Sequence, residues 1–219
     1  MFSELIVIDD PTPRSGPLNM AIDEALLSTA RSAILRFYRW SVPSVSFGYF
    51  VKFGEALEIA GNRATVRRWT GGGIVPHAED LTYSIMIGSN DDAFALASKI
   101  IYQRVHFALG NALREIGIVS ALVQKEATKI SDACFANPVV SDLMEGSGKI
   151  AGAAQRKTRG GLLHQGSIQR GNLEERFRNA FANLLSNRII AAEIDVAVLS
   201  MAEELAATKY ATDAWLRRR

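Results

Sequence analysis

Three consecutive glycines constrain the fold of this chain more than any other feature. Gly71, Gly72 and Gly73 separate a β-compatible segment at residues 65–69 from an apolar segment at residues 74–75. Glycine loses more backbone freedom on folding than other residues and packs nothing, so a plain hairpin rarely needs three in a row. The run therefore predicts a turn whose backbone lies flat against a bound ligand and directs N–H groups at it.

Two arginines precede this turn, and a valine and a histidine follow it. Arg67 and Arg68 precede it and can clamp a carboxylate or phosphate in bidentate fashion. Val75 is a candidate wall of the site, and His77 is interpreted as a site-lining residue that positions the turn. The alternative is an ordinary glycine-rich loop with two surface arginines.

A second region carries a lysine among small residues. Lys149 stands at the head of a predicted strand that contains Gly152 and Ala153, and a following strand carries His164 and Gly166. Small residues on a strand leave room for something to lie against it. A lysine at a strand end most often lies in solvent, which is the alternative to a functional role for Lys149.

Composition sets limits on fold and function. With 219 residues, 48% of them hydrophobic, the chain can bury one sizeable core and is expected to form a single domain over residues 1–219. A net charge of +2 with scattered basic residues does not favour nucleic-acid binding. No apolar run approaches the ~18 residues that a membrane-spanning helix needs, so no membrane partner is expected.

The remaining composition argues for a reducing compartment. The first residues show no basic segment followed by an apolar signal core, which predicts a cytoplasmic protein. One cysteine excludes an internal disulfide. The three histidines and the cysteine show no metal-ligand spacing, so no metal site is expected.

Helices and strands alternate irregularly along the chain. This order favours an α+β domain over a doubly wound sheet. Strands are predicted near residues 5–8, 33–40, 45–50, 65–69 and 81–87, with short strands filling 118–169. Helices are predicted near residues 17–30, 54–60, 93–116, 173–186 and 195–206, the third ending at Gly117 as its cap.

These motifs, in this order, resemble the lipoate–protein ligase and octanoyltransferase superfamily, which is related to biotin–protein ligases. The resemblance extends over residues 18–25, 35–40, 46–49, 67–77, 148–156, 160–168 and 209–215. It is strongest toward the cysteine-dependent octanoyltransferases and single-domain proteins similar to lipoate–protein ligase A. It implies a mainly antiparallel mixed sheet backed by helices, and Lys149 matches the essential lysine of the family.

The resemblance also implies an activity. The enzyme would move an octanoyl or lipoyl group onto a lysine of a lipoyl carrier domain, such as the E2 component of 2-oxoacid dehydrogenases or the glycine-cleavage H protein. The acyl donor would be octanoyl-acyl-carrier protein or lipoate. The acyl chain would need an apolar tunnel, for which Trp40, Phe47, Val75, Ala151, Gly152 and Ala153 are the expected walls.

The single cysteine bears on the mechanism. Cys134 stands where the cysteine-dependent octanoyltransferases have the nucleophile that forms a thioester, and this reading needs no cofactor. The alternative for a lone cysteine is a small buried hydrophobic residue.

Two other functions remain open. One is an ATP-dependent lipoate–protein ligase that works through lipoyl-AMP, with ATP and Mg²⁺ as cofactors and Arg67, Arg68 and Lys149 on the phosphate. The three-glycine turn looks more ligase-like, whereas the expected absence of a C-terminal accessory domain after Trp215 favours the transferase. The other is a non-catalytic subunit that binds the lipoyl-adenylate or the carrier.

Two departures from the family pattern concern histidines. Relatives often have an aspartate directly after the residue that matches His77, so here Asp80 or Glu79 substitutes or the role is dispensable. His164 precedes Gly166 by two positions rather than one. A structural hydrogen bond is therefore the alternative to an acid/base role for His164.

Overall fold

Two β-sheets and six α-helices make up the described part of the computed structural model, which covers residues 1–124, 138–171 and 173–218. The large sheet has eight strands in the order β11-β1-β2-β6-β10-β9-β8-β7. In chain order these are β1 (Leu5–Asp9), β2 (Ala33–Tyr38), β6 (Leu81–Gly88), β7 (Ala121–Leu122), β8 (Leu143–Glu145), β9 (Gly148–Lys157), β10 (Gly161–Ile168) and β11 (Ile189–Ala191). Only the β11-β1-β2 end is parallel.

A small sheet of three strands packs beside the large one. Its order is β4-β3-β5, with β3 (Ser44–Phe47) parallel to β4 (Ala64–Arg67) and antiparallel to β5 (Ile74–His77). The predicted glycine turn connects β4 to β5. The prediction of an α+β fold with a mainly antiparallel mixed sheet is confirmed.

The helices cover both faces of the large sheet. They are α1 (Gly16–Thr29), α2 (Phe53–Ala60), α3 (Ser98–Glu115), α4 (Glu175–Leu185), α5 (Val196–Leu205) and α6 (Asp213–Leu216), with a π-helical turn at Ala206–Tyr210 between the last two. Because side chains of a strand alternate between faces, Leu35 and Phe37 of β2 join the core under α3 and α4. Ile34 and Tyr38 join the second core, under α1 and α5.

Several boundaries differ from the prediction. The helix expected from residue 93 begins at Ser98, because Asp91 caps a separate 3₁₀ turn at Asp92–Ala95 by accepting a hydrogen bond from the Ala93 N–H at 2.8 Å. Its end is as predicted, with Gly117 at a φ of +84° just beyond the last turn. The short strand β11 and helix α6 were not predicted.

Candidate functional site

A narrow cavity lies where the small sheet meets the large one. The small sheet supplies mainly polar side chains, and the large sheet supplies the small-residue stretches of β9 and β10. The lining consists of apolar Met20, Tyr38, Trp40 and Val75, small Gly152, Ala153, Ala154 and Gly166, and polar Ser46, Arg68, His77, Thr82, Gln165 and Ser167.

The cavity brings together residues from both sequence regions singled out above. Arg68, Val75, His77, Gly152, Ala153 and Gly166 all line it, although they are up to 98 positions apart (166 − 68) in the chain. Trp40 also lines it, as expected for a wall. The expected walls Phe47 and Ala151 do not line it: Phe47 packs in the core of the small sheet, and Ala151 packs in the core under α3 and α4.

Arg67 holds backbone rather than facing this cavity. It is fully buried, and its guanidinium donates hydrogen bonds to the carbonyls of Tyr49 and Val51 at 2.8 and 2.7 Å. It also donates to the carbonyls of Trp215 and Leu216 at 3.1 and 2.9 Å. Arg67 is absent from the described side chains that line the cavity. We therefore revise the ligand-clamp interpretation: this side chain ties the loop after β3 to the end of α6.

Arg68 holds the glycine turn. Its guanidinium donates to the carbonyls of Gly71 and Gly73 at 3.1 and 2.8 Å. Gly72 has a φ of +81°, which other residues rarely adopt. A Cβ atom on the facing Gly48 would lie 2.0 Å from the Gly72 carbonyl oxygen, so only glycine fits there. The turn thus packs on protein, and ligand binding by its three glycines stays a prediction.

His77 lies in a chain of short hydrogen bonds that leads to this turn. Its Nε2 is 2.7 Å from Ser46 Oγ, and its Nδ1 is 2.7 Å from Asp80 Oδ2. Arg68 donates to the same Ser46 oxygen at 2.7 Å, so His77 is connected to the glycine turn through two side chains. The His77 ring stacks on Trp40, with 4.0 Å between the ring centroids.

Asp80, not Glu79, provides the carboxylate for His77. Asp80 is buried and Glu79 is exposed. Burial alone would raise the pKa of Asp80, but the charge of His77 and hydrogen bonds from His77, Ser167 and Thr82 bring this pKa below its usual value. An ionised Asp80 accepts a hydrogen bond from the Nδ1–H of His77, and the other ring nitrogen, Nε2, lies at hydrogen-bond distance from the Ser46 hydroxyl.

Ser46, His77 and Asp80 are ordered like a hydrolase triad, but their surroundings indicate a structural role. Ser46 is 1% exposed within a paired strand, and Arg68 already donates to its oxygen. A charged donor on this oxygen draws electron density from it and makes it a weaker nucleophile. The chain of hydrogen bonds therefore forms a rigid polar wall of the cavity.

Lys149 lies beside the wall of the same cavity, although its own side chain is not among those that line it. Its side chain is 2% exposed, and its Nζ is 2.8 Å from Asp142 Oδ2. A Cβ atom on Gly152 would lie 2.3 Å from Lys149 Cε and 2.5 Å from Nζ, so the lysine lies directly over this glycine. Since Gly152 lines the cavity, the lysine ammonium group borders the space where a ligand would lie.

His164 is placed differently from the other predicted site residues. It is fully buried, with Nε2 3.2 Å from Tyr83 Oη and Nδ1 2.9 Å from Gln155 Nε2. Burial, helped by the neighbouring His106, lowers the pKa of His164 well below its usual value. A neutral ring with both nitrogens hydrogen-bonded supports the structural alternative over the acid/base role.

The sequence interpretation missed three side chains. Asp142 pairs with Lys149, Tyr102 donates to Asp142, and Ser46 joins Arg68 to His77. Tyr102 lies in the second turn of α3 and gives no local signal. Asp142 lies seven positions before Lys149, and only the pairing of β8 with β9 brings the two together.

The remaining expectations concern Cys134, a metal site and a membrane-spanning helix. Cys134 lies outside the described residues. Among residues 1–124, 138–171 and 173–218, no group of three or more His, Cys, Asp or Glu side chains could hold a metal ion. No helix in this part of the chain is both long enough and apolar enough to cross a bilayer.

Comparison with known proteins agrees with the resemblance seen in the sequence. The chain is 36% identical to octanoyltransferase LipM of Oceanobacillus iheyensis over 72% of its length, and the match spans 61% of that relative's own length. A match to octanoyltransferase LipM of Brevibacillus brevis is 28% identical and covers 94% of this chain and 96% of the relative.

Solved structures show the same fold. A putative lipoate protein ligase from T. acidophilum superposes with a TM-score of 0.75 at 24% identity, covering 100% of this chain and 99% of that one. Residues 15–212 match the family described as the lipoyl protein ligase A/B catalytic domain. The chain belongs to the lipoyl protein ligase A/B catalytic-domain family.

Proposed function

We propose that this protein is an acyltransferase of protein lipoylation, which moves an octanoyl group from a thioester onto the lysine of a lipoyl carrier domain. The observation that carries the proposal is the buried Lys149 ammonium at the edge of a narrow cavity. Similarity to proteins named octanoyltransferase supports the same reaction. Octanoyl-acyl-carrier protein is the proposed donor.

The lining of the cavity suits an unbranched acyl chain, although the cavity itself, about 30 Å³ in this structure, would have to widen to admit one. Met20, Tyr38, Trp40 and Val75 offer apolar contacts, and each buried methylene is worth about 0.8 kcal/mol. The glycines and alanines of β9 leave space against the sheet. With the chain lying along these walls, the carbonyl carbon would be at the Gly152 end, where the Lys149 ammonium can polarise its oxygen.

The proposed reaction has two acyl-transfer steps. The Cys134 thiol loses its proton, and the thiolate attacks the carbonyl carbon of the donor thioester. A new C–S bond forms as the C–S bond to the donor breaks, and the donor leaves as a thiol with the proton that Cys134 lost. The carrier-lysine amine then attacks the Cys134 thioester, the amide bond forms, and the cysteine thiol is released with the proton that the amine loses. Each step passes through an oxyanion that a fixed cation stabilises, which is the role assigned to Lys149.

This reaction needs no ATP because a thioester is already activated. The carrier would be the lipoyl domain of a 2-oxoacid dehydrogenase E2 component or the glycine-cleavage H protein. Their lysine would enter at the Lys149 edge, since the acyl chain fills the rest of the cavity.

Intact-mass spectrometry tests the proposal. The protein is mixed with octanoyl-acyl-carrier protein without ATP, beside the Cys134→Ala variant. An octanoyl adduct on the wild type that is missing from the variant supports the thioester route. Carrier acylation that appears only with free acid, ATP and Mg²⁺ would contradict it in favour of a ligase. Binding without turnover under either condition would indicate a non-catalytic subunit.

A further inference from the structure

We propose that Asp142 and Tyr102 are positioning residues for acyl transfer, which together fix the Lys149 ammonium group against Gly152. The inference rests on the catalytic role proposed for Lys149. It extends that role to two residues that do not line the acyl cavity and that the family resemblance did not single out.

Both oxygens of the Asp142 carboxylate have partners. Oδ2 lies 2.8 Å from Lys149 Nζ and accepts the Val139 N–H at 2.7 Å. Oδ1 accepts the hydroxyl proton of Tyr102. The side chain of Asp142 is fully buried. Because both oxygens are held, the Asp142 carboxylate has one orientation. It therefore holds the Lys149 ammonium group in one position.

Tyr102 connects this carboxylate to the cavity wall. Its hydroxyl oxygen accepts the N–H of Ala153 at 3.0 Å while its proton goes to Asp142. Strand β8 pairs with β9 only as far as Ala151, so the Ala153 N–H lies beyond the end of β8. Burial and then the nearby Asp142 raise the pKa of Tyr102, which keeps the hydroxyl protonated as a donor.

An irregularity in β9 directs Lys149 toward the cavity. Leu143 of β8 pairs with Ala151 and Met144 pairs with Lys149, so one extra residue is inserted in β9 between these pairs. In a regular strand, residues three apart point to opposite faces. The extra residue rotates the backbone by one position, and the Lys149 side chain lies over Gly152.

The backbone before Asp142 is held in a rare conformation. Ser141 has a φ of +72°, which a residue with a side chain seldom adopts. Its N–H donates to the Val123 carbonyl at 2.9 Å, and its own carbonyl accepts from His106 Nδ1 at 2.6 Å. Such conformations persist where surrounding contacts determine them, and they concentrate at functional sites.

The charge balance around Lys149 depends on Asp142. The titratable groups that face it in the described part of the chain are Asp142, and Tyr102 and His106 from α3. Burial lowers the pKa of His106 to about 4, so this ring is neutral at pH 7. Tyr102 is also neutral, and Asp142 supplies the negative charge. A buried charge that loses its opposite partner is disfavoured relative to its neutral form.

Two isosteric variants test the proposal, Tyr102→Phe and Asp142→Asn, in the full-length protein. Octanoyl transfer to a lipoyl domain is measured between pH 6 and 9, giving kcat and KM for octanoyl-acyl-carrier protein. Tyr102→Phe should lower kcat about 10-fold with KM changed less than about twofold, as expected for one lost hydrogen bond that acts on orientation. Asp142→Asn should lower kcat about 100-fold or more, and the alkaline limb of its pH profile should move to lower pH.

Tyr83→Phe is the matched control. It also removes a buried hydroxyl, which lies 3.2 Å from His164 Nε2 and, unlike that of Tyr102, does not donate to the Asp142 carboxylate. Its kcat should stay within about twofold of wild type even if its melting temperature falls. Equal losses of kcat in Tyr102→Phe and Tyr83→Phe would overturn the proposal, since both would then reflect general destabilisation.

Lys149→Gln separates this inference from the proposed function. If Lys149→Gln is inactive while Tyr102→Phe and Asp142→Asn retain wild-type kcat, the positioning role is wrong and the proposed function stands. If Lys149→Gln itself retains activity, the catalytic role of Lys149 is wrong. Should Asp142→Asn fail to fold, the kcat and KM of Tyr102→Phe decide.

Discussion

The glycine turn and the Lys149 edge both place buried cations beside one cavity, but the cations have different partners. At the turn, Arg67 and Arg68 donate to backbone carbonyls and fix the shape of loops. At the other edge, Lys149 pairs with a carboxylate and lies over a glycine of the cavity wall. The difference follows from the side chains: a planar guanidinium has five donors that can join several carbonyls, whereas an ammonium group is a compact point charge.

Replacement of Arg67, on the turn side, should have the largest effect on stability. Arg67→Met should lower the free energy of unfolding by about 4 kcal/mol or more, because several buried carbonyls lose charged donors at once. Urea unfolding followed by tryptophan fluorescence measures it. Arg63→Met is the control, since Arg63 is exposed and its guanidinium makes a long 3.4 Å contact with the Ile59 carbonyl. Similar losses in both variants would contradict the assigned role of Arg67.

The next effect concerns acid stability on the Lys149 side. Burial lowers the pKa of His106 from 6.5 to about 4. Between pH 6.5 and pH 4 the unfolded chain therefore binds a proton at this histidine that the folded chain does not bind. Stability from this group is complete above pH 6.5 and falls as the pH drops toward 4, by ~3 kcal/mol in total. His164, whose pKa is also lowered by burial, adds loss in the same direction.

Urea unfolding at pH 7, 5.5 and 4.5 checks this expectation. His106→Gln, which keeps a side-chain donor near the Ser141 carbonyl, should show a shallower loss than the wild type. A wild-type free energy of unfolding that is constant or rises over this pH range would show that the buried histidines are protonated in the folded state.

Two glycines of β9 test whether the position of Lys149 matters for acyl transfer. Gly152→Ala should slow octanoyl transfer about 100-fold, equivalent to about 2.7 kcal/mol, because the new Cβ would lie 2.3 Å from Lys149 Cε and displace the lysine. Gly148→Ala on the same strand is the control, since the nearest atom to its new Cβ is the Glu145 carbonyl oxygen at 3.7 Å. Equal initial rates for the two variants would mean that the position of Lys149 is unimportant.

The smallest effect tests the polar wall. Ser46→Ala removes the group between Arg68 and His77 and should cost about 1 kcal/mol of stability, while transfer stays within about threefold of wild type. Denaturation and rate assays on the same preparation check both. Complete loss of transfer in a folded Ser46→Ala protein would show that Ser46, His77 and Asp80 take part in the chemistry.

Local sequence patterns predicted most of the elements and pointed to two regions that meet at one cavity, but they could not predict the partners of individual side chains. The glycine run, the small-residue strand and the α+β order are encoded in neighbouring residues, and the fold bears them out. The partners of Arg67 are carbonyls of residues 49–51 and 215–216, which only tertiary packing brings near. Whether an arginine contacts a ligand or a backbone therefore cannot be read from its neighbours in the chain.

The same reason explains the missed carboxylate. Asp142 reaches Lys149 through the register of β8 on β9, and Tyr102 reaches Asp142 because α3 packs against the end of β8. Neither contact leaves a periodic signal in the sequence. The sequence pointed to His164 as a site residue because it lies near Gly166, but the His164 ring is buried against Tyr83 and does not line the cavity.

Octanoyl transfer by Lys149→Gln, measured beside Arg67→Lys, tests whether Lys149 is catalytic while Arg67 is structural. Both variants are assayed with a lipoyl domain and octanoyl-acyl-carrier protein at a temperature where both are folded, and rates are divided by the folded fraction. The account predicts that Lys149→Gln is slower by about 10³-fold, as for a lost oxyanion-stabilising group, while Arg67→Lys stays within about threefold of wild type despite lower stability. A fast Lys149→Gln, or an Arg67→Lys that is folded and equally slow, would contradict it.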